Sequence, residues 1–186
     1  LRAEKGDIET ARKSLRQIKT SDDREAMLVA LGEAQILRRA GQTAELVKVL
    51  EAVNARMPDT PDVIYELSMA YEREDRIADM EKLLRRLIEL KPDHAHAYNA
   101  LGYSLADRNV RLDEARTLLE KAVELAPDDA FILDSMGWVY YRQGNAAQAA
   151  YYLRRAYSIR QDAEIAVHLG EVLWVAGQRD EAKRLW

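Results

Sequence analysis

The sequence contains no cysteine, which excludes disulfide bonds, thiolate metal sites and a cysteine nucleophile. Glycine and proline are also scarce, with 8 and 4 residues among 186, too few for the many turns of a β-sandwich. No stretch is apolar over the length that a bilayer requires, so these residues do not themselves span a membrane. The lack of cysteine leaves the cellular compartment open, because reduced and oxidising compartments both contain such proteins.

The residues that are abundant favour helices. The chain is 48% hydrophobic and 32% charged, a mixture that buries a core and keeps a solvated surface. Alanine, leucine, glutamate and arginine dominate, and all four are strong helix formers. The formal net charge of −4 argues against a nucleic-acid-binding role, which normally needs a basic face.

A small residue recurs through the chain at nearly constant spacing. It stands at the same place in five successive blocks, separated by 34, 34, 35 and 33 residues: Ala34, Ser68, Gly102, Gly137 and Gly170. Other positions recur with it, such as Ala115 and Leu119 in one block and Ala149 and Leu153 in the next. A repeat of this length is one supersecondary unit that must stack on its neighbours to bury its apolar face.

The recurring positions resemble the tetratricopeptide repeat, W-x2-L-G-x2-Y, then A-x3-F, then P. The resemblance implies an all-α fold, a right-handed α-solenoid of helical hairpins that forms one domain over residues 1–186. Counting from the family's first position, we predict complete repeats at 27–60, 61–94, 95–129 and 130–162. Partial repeats precede and follow them at 1–26 and 163–186. Residues 1–26 are expected to hold the end of one helix, near Gly6, and a second helix in register at Ala11, Leu15 and Ile18.

Small and helix-breaking residues give this pattern a physical meaning. The small residues let helix axes approach closely. Gly144 and Gly177 fall where a first helix ends, as a left-handed C-cap requires. Prolines such as Pro92 and Pro127 end second helices, and a nearby Asp or Asn then serves the turn into the next helix. Because Trp186 lies inside a periodic segment and Leu1 is not a methionine, we expect the natural protein to be longer.

The family's geometry implies that first helices line a concave groove, into which the second, fifth, ninth, twelfth and thirteenth positions of each repeat point. Several of these positions carry aromatic rings, which are common anchors for a bound chain. Asn and Asp beside them can bind a peptide backbone. The alternative is that each ring only packs against the adjacent hairpin. The predicted partner-binding residues are Tyr65, Met69, Asn99, Tyr103, Asp134, Trp138, Tyr141 and Trp174.

Other kinds of site find little support in the sequence. The repeats that clamp a C-terminal carboxylate need Lys at the fifth position, and no fifth position here is Lys. His94 and His96 are two residues apart, so they do not share a helix face, and His168 is expected to be a groove or packing residue. No phosphate-binding loop, HExxH or GxSxG motif occurs. We therefore predict no catalytic residue, no metal and no cofactor.

Three stretches resemble one group of tetratricopeptide proteins more closely: YNALGYSLADR, DDAFILDSMGWVYYRQGN and AEIAVHLGEVLWVAGQRDEAKRLW. They are similar to the C-terminal repeats of proteobacterial outer-membrane lipoproteins that bind a carboxyl-terminal processing protease and bring it to cell-wall hydrolases. This resemblance implies an adaptor on the periplasmic face of the outer membrane, held by an anchor outside these residues. A cytoplasmic location is the alternative.

Two functions follow from these observations. The first is a non-catalytic adaptor that binds a polypeptide in its concave groove. The second is self-assembly, in which half-repeats at the two ends expose apolar seams and stack on another copy.

Overall fold

The computed structural model describes the backbone of residues 2–185 and the side chains of residues 7–185. All regular secondary structure in this part of the chain is α-helical, which confirms the predicted all-α class. None of the described helices is both long and apolar enough to cross a membrane. The helices are α1 (Arg2–Arg16), α2 (Asp23–Arg39), α3 (Thr43–Arg56), α4 (Pro61–Arg73), α5 (Ile77–Leu90), α6 (Ala95–Asp107), α7 (Leu112–Leu125), α8 (Ala130–Arg142), α9 (Ala146–Ile159), α10 (Ala163–Val175) and α11 (Arg179–Leu185).

The helices pack as hairpins within two compact units, Leu1–Lys91 and Pro92–Trp186. In the first unit α1 packs on α2, α2 on α3, and α4 on α5. In the second unit the hairpins are α6–α7, α8–α9 and α10–α11. The first helices of this unit, α6, α8 and α10, also pack in sequence, α6 on α8 and α8 on α10.

The N-terminal segment differs from the prediction. Residues 2–16 form one continuous helix, and Gly6 lies inside it rather than at the end of a preceding helix. A glycine in a helix costs only about 1 kcal/mol, so the helix formers around it carry the helix through. Ile18 lies beyond the end of α1 and is exposed, whereas Leu15 contacts α2 beside Gly32. Helix α2 begins at Asp23, four residues before the predicted start of the first complete repeat at 27.

The turns inside the hairpins use left-handed backbone at one recurring place. Gly144 and Gly177 have φ of 80° and 81°, which confirms their prediction as left-handed caps. Gly41 takes the same conformation in an earlier hairpin, with φ of 67°. Asp75 and Asn109 occupy the corresponding places with φ of 56° and 54°. Asp and Asn adopt the left-handed backbone region more readily than other non-glycine residues, so the same turn forms without glycine at Asp75 and Asn109.

Small residues bring the two helices of a hairpin into close contact in the second unit. A Cβ at Gly102 would lie 2.7 Å from Cγ of Leu119, and one at Gly137 would lie 2.6 Å from Cγ of Leu153. In addition, the backbone oxygen of Ala149 would be 3.1 Å from a Cβ at Gly137. Both leucines are fully buried. The recurring Gly–Leu pairs therefore set how closely α6 packs on α7 and α8 packs on α9.

Short polar side chains begin the first helices of the second unit. The carboxylate of Asp129 accepts hydrogen bonds from the backbone N–H groups of Phe131 and Ile132 at the start of α8. Asp162 accepts one from Glu164 at the start of α10. These contacts satisfy N–H groups that have no partner within the helix.

The contact at Gly137 gives a stability prediction. Replacing Gly137 by Ala places a methyl group against the backbone oxygen of Ala149 and Cγ of Leu153, so the helices must separate. We expect a loss of about 2 kcal/mol in the free energy of unfolding, measured by urea denaturation followed by circular dichroism. The matched control is Gly32→Ala in α2, where the nearest atom would be an ordinary 3.7 Å away on Leu15. That substitution should raise stability by about 0.5–1 kcal/mol through helix propensity. Equal effects at the two glycines would contradict the close-contact explanation.

Candidate functional site

Four ring-bearing residues of the second unit lie together on one side of its first helices. Trp138 of α8 stacks on His168 of α10, with ring centroids 4.2 Å apart and an interplanar angle of 21°. Tyr141 lies one helical turn along α8, with its centroid 5.1 Å from that of Trp138. Tyr103 of α6 lies 6.4 Å from the ring of His168. We call Tyr103, Trp138, Tyr141 and His168 the ring cluster.

A buried ion pair underlies the ring cluster. The Nδ1 atom of His168 lies 2.9 Å from Oδ2 and 3.0 Å from Oδ1 of Asp134. The two residues are only 8% and 5% exposed, so water screens the pair little. A buried carboxylate without a partner would be costly, and His168 supplies that partner from the next first helix. The pair therefore fixes α8 and α10 relative to each other at the base of this face.

The proton on His168 is held by the surrounding carboxylates. Burial lowers the pKa of His168, but the hydrogen bond to Asp134 and the nearby charges of Asp134, Glu164 and Glu171 outweigh it. The net result is a pKa raised above the ordinary value of a histidine. The folded protein therefore favours the charged form of the imidazole, which both donates to Asp134 and stacks on Trp138.

Two tyrosine hydroxyls connect the ring cluster to carboxylates on α10. The hydroxyl of Tyr103 donates to Oε1 of Glu164 at 3.4 Å, and that of Tyr141 donates to Oε1 of Glu171 at 3.0 Å. Helix α8 packs against both α6 and α10 and stands between them. Because side chains of α6 and α10 nonetheless meet, the three helices must curve toward each other here. This side of the second unit is concave, and we call it the first-helix face.

Arg142 ties the end of α8 to the end of α6. Its Nε donates to the backbone oxygen of Ala106 at 3.2 Å, and its Nη2 donates to that of Asp107 at 3.0 Å. The last carbonyls of a helix lack partners within it and carry partial negative charge, so a guanidinium suits them. The same guanidinium lies 5.8 Å from the centroid of the Trp138 ring. Arg142 thus closes one end of the ring cluster.

The structure sorts the predicted partner-binding residues by burial. Asp134 and Trp138 are buried, and Trp138 is only 6% exposed. The ring of Trp138 packs against the adjacent hairpin, which is the alternative given in the sequence analysis. Its indole Nε1 is buried and finds no acceptor among the described residues. Asn99, Tyr103 and Tyr141 are half-buried. The contribution of each to partner binding stays a prediction.

The remaining predicted residues lie apart from the ring cluster. Trp174 is exposed near the end of α10, where the guanidinium of Arg179 lies 5.1 Å from its ring centroid. Tyr65 and Met69 are half-buried on α4 of the first unit. The structure thus brings Tyr103, Trp138 and Tyr141 together with Asp134, and it leaves Trp174, Tyr65 and Met69 outside that group.

His168 is the residue of the cluster that sequence analysis did not assign to the site. The expectation that it is a groove or packing residue is confirmed, but its pairing with Asp134 was not foreseen. A signal was present: Asp134 interrupts the otherwise apolar start of α8, FILDSMGW, and such a residue must find a partner. His168 lies 34 residues later, one repeat on.

The first unit contains its own buried charge cluster. Glu33 of α2 occupies a repeat position that is Leu67, Leu101, Met136 and Leu169 in the other repeats. Its carboxylate accepts from Nε of Arg12 at 2.9 Å and from Nη2 of Arg16 at 2.6 Å. Beside it, a pocket of about 240 Å³ opens between α2 and α3, and its lining includes Ala30 and Ala52. The ion pairs hold α1 on α2 where the other repeats use apolar contacts.

Histidines do not form a metal site in the described residues. No group of three or more His, Asp or Glu side chains there is arranged to hold a metal ion. His94 serves instead as a cap of α6, because its Nδ1 accepts from the backbone N–H of Ala97 at 3.1 Å. His96 is exposed and lies 3.8 Å from Asp129.

Comparison with known sequences identifies the repeats. Profiles of the tetratricopeptide repeat match residues 61–94 and 93–162, which together span more than half of the chain. The chain belongs to the tetratricopeptide repeat (TPR) family. Proteins built of TPR units generally act as protein-interaction scaffolds.

A longer protein of Pseudomonas aeruginosa is similar over most of the chain. This TPR repeat-containing protein is 41% identical over 166 residues, which are 89% of the chain and 28% of the relative. The chain therefore spans less than a third of that relative's length.

Solved structures share the fold at low sequence identity. A TPR protein of Thermus thermophilus matches with a TM-score of 0.75 and 21% identity, covering 84% of this chain and 86% of its own. PilW, a type IV pilus biogenesis factor, matches with a TM-score of 0.76 and 20% identity over 84% of this chain and 73% of its own. MamA of Desulfovibrio magneticus gives a TM-score of 0.70 at 18% identity, covering 84% and 89%. These similarities establish the fold.

The Asp134–His168 pair predicts a pH-dependent stability. A pKa raised in the folded state gives a contribution that is complete below the unfolded value of about 6.5 and is lost as pH rises through the folded value. We therefore expect the free energy of unfolding to fall as the pH rises above about 6.5, as measured by urea denaturation at several pH values.

The control for this prediction is Asp134→Asn, which keeps a hydrogen-bond acceptor and removes the charge. In this variant the free energy of unfolding should no longer fall as the pH rises, because only Glu164 and Glu171 would then favour the charged imidazole. An identical decline in both proteins would show that the Asp134–His168 pair does not cause it.

Proposed function

We propose that this TPR protein is a non-catalytic adaptor that binds a polypeptide partner on the first-helix face of its second unit. The observation that carries the proposal is a set of exposed apolar side chains on that face. Phe131 of α8 is 42% exposed, and Val167, Trp174 and Val175 of α10 are 52%, 39% and 63% exposed. Large apolar side chains that remain exposed beside each other typically mark an interaction site.

Helical spacing places these side chains on the side that carries the ring cluster. On α10, Val167, Trp174 and Val175 lie three or four residues from His168 or Glu171 and therefore share their side of the helix. On α8, Phe131 lies three residues before Asp134 and seven before Trp138. A ligand on the exposed apolar residues would thus lie over the buried Asp134–His168 pair.

The buried part of this face supports binding by keeping the surface rigid. Trp138, Asp134 and His168 fix each other by stacking and hydrogen bonding, and Arg142 fixes α8 against α6. A partner that docks on a fixed surface loses less free energy in ordering it. In this interpretation Trp138 and Asp134 shape the site, and the exposed residues of α8 and α10 contact the partner.

The resemblance of residues 95–186 to outer-membrane TPR lipoproteins supports a more specific role. In this role the protein binds a carboxyl-terminal processing protease and brings it to cell-wall hydrolases in the periplasm. An anchor elsewhere in the natural protein would hold it at the outer membrane. Co-purification of the full-length natural protein with such a protease from cell envelopes tests the role. Recovery of the protein only from the cytoplasm would exclude it.

Self-assembly is the second candidate, and the exposed Trp174 and Val175 near the end of the second unit favour it. Light scattering over a dilution series of the full-length protein separates the two functions. A mass that falls to that of a monomer on dilution favours the adaptor. A stable oligomer that Val175→Ser dissociates favours assembly.

Site-specific cross-linking tests the adaptor directly. A photoreactive benzoylphenylalanine at Val167 should cross-link a protein partner in cell extract, because this exposed position lies at the centre of the proposed surface. Mass spectrometry of the cross-linked band identifies the partner. The matched control places the same group at Tyr151, which is 58% exposed on α9, a second helix. Cross-links to the same protein from Tyr151 and none from Val167 would contradict the proposed surface.

A further inference from the structure

Two carboxylates on the first-helix face accept hydrogen bonds from tyrosine hydroxyls. Glu164 and Glu171 accept hydrogen bonds from Tyr103 and Tyr141, and neither forms an ion pair with Arg or Lys among the described residues. Many other surface carboxylates of this chain do form such pairs, for example Glu124 with Lys121. Within the part of the chain that the structure describes, no lysine or arginine therefore neutralises the charges of Glu164 and Glu171.

Spacing along α10 sets the distance between these charges. Seven residues separate Glu164 from Glu171, which corresponds to two helical turns and a rise of about 10.5 Å. Val167 lies between them on the same side of the helix, and Trp174 follows one turn beyond Glu171. The exposed surface of α10 thus alternates between acidic and apolar side chains.

Negative charge lies at the centre of the first-helix face, and positive charge lies at its two ends, where the guanidinium groups of Arg160 and Arg179 lie against the rings of Phe131 and Trp174. Asp107 is exposed at the end of α6. Burial, followed by the charges of Asp107, Glu164 and Asp134, raises the pKa of the Tyr103 hydroxyl above its usual range. The single charge of His168 is already paired with Asp134. Arg142 donates to backbone oxygens at the edge of the face. The centre of the face is therefore acidic.

We infer that the first-helix face selects an extended polypeptide segment with two Lys or Arg residues whose charges can lie about 10 Å apart, with an apolar side chain between them. In an extended β-strand conformation, alternate side chains point to the same side, so residues four apart lie about 13 Å apart and the residue midway between them faces the same way. Flexible Lys or Arg side chains then reach carboxylates about 10.5 Å apart. The two cations would contact Glu164 and Glu171, and the apolar residue would lie on Val167. This inference rests on the proposed function and specifies the chemistry of its partner.

A designed peptide tests the inference. The probe is a fluorescein-labelled peptide with two arginines four positions apart, leucine midway between them and serine elsewhere. Fluorescence anisotropy at low salt should show saturable binding to the whole chain. A peptide with glutamates in place of the arginines should not bind, because like charges repel. A peptide with adjacent arginines should bind about tenfold more weakly, because only one carboxylate can be reached at a time.

Isosteric variants of the protein locate the contact. Glu164→Gln and Glu171→Gln keep the acceptor for each tyrosine and remove the charge, so each should weaken binding of the arginine peptide about threefold to fivefold. The double variant should weaken it about tenfold or more and flatten the dependence of binding on salt. The matched control is Glu124→Gln on α7, an exposed carboxylate on a second helix, which should leave the affinity unchanged. Circular dichroism checks that each variant is folded.

Several outcomes would overturn the inference. They are equal binding of the arginine and glutamate peptides, no saturable binding of the arginine peptide, or an undiminished affinity in the double variant. If one of these outcomes is found but Val167 cross-links a protein partner in extract, the proposed function stands. Only the inferred preference for a segment with two cationic residues and an apolar residue then fails. If Val167 gives no cross-link while the arginine peptide binds, the acidic face recognises peptides but the adaptor role fails.

Discussion

A helical hairpin cannot bury its own apolar face, and close contact between its two helices is the constraint on which this protein depends. Where the recurring small residue is glycine, as at Gly102 and Gly137, the opposing leucine lies closer than a Cβ would allow. The core of each hairpin is then narrow and well packed, with Ala115, Leu119, Ala149 and Leu153 fully buried. First helices fixed in this way can present side chains toward one another on the concave side.

Polar pairs are placed in this structure where apolar contacts would also fit. Asp134–His168 in the second unit and Arg12–Glu33 in the first are both nearly fully buried. The first pair joins the successive first helices α8 and α10, and the second joins α1 to α2. A buried ion pair adds little net stability compared with apolar packing. It does penalise any alternative pairing, because either charge without its partner would remain buried and uncompensated. We interpret these pairs as features that specify which helices meet.

The sequence was informative wherever one repeat could be compared with the next. Recurring small residues, prolines and left-handed glycines predicted the all-α hairpins, because each of these residue types has one strong local reason to occupy its position. The N-terminal segment shows the limit of that reasoning. Gly6 matched the position of a helix end, but helix propensities around it outweigh one glycine, and α1 runs through it.

Site residues were harder to predict than the fold, since their roles depend on contacts between repeats. Trp138 and Tyr103 occupy comparable repeat positions, yet only Trp138 is buried, because His168 of the next first helix covers its ring. The pairing of Asp134 with His168 likewise requires knowing which positions of successive repeats face each other. Repeat spacing alone does not specify that relation for a histidine.

Buried and exposed residues have different roles on the first-helix face. The buried rings of Trp138 and His168 stack on each other, and His168 is hydrogen-bonded to Asp134, so these residues hold a fixed shape. Glu164 and Glu171 keep their charges at the surface, held in place by tyrosine hydroxyls that orient a carboxylate without neutralising it. An Arg or Lys in either tyrosine's position would have formed an ion pair and reduced the field available to a ligand. Tyrosine at these two positions therefore preserves an oriented negative charge on a rigid surface, and a cationic partner is the complement that such an arrangement favours.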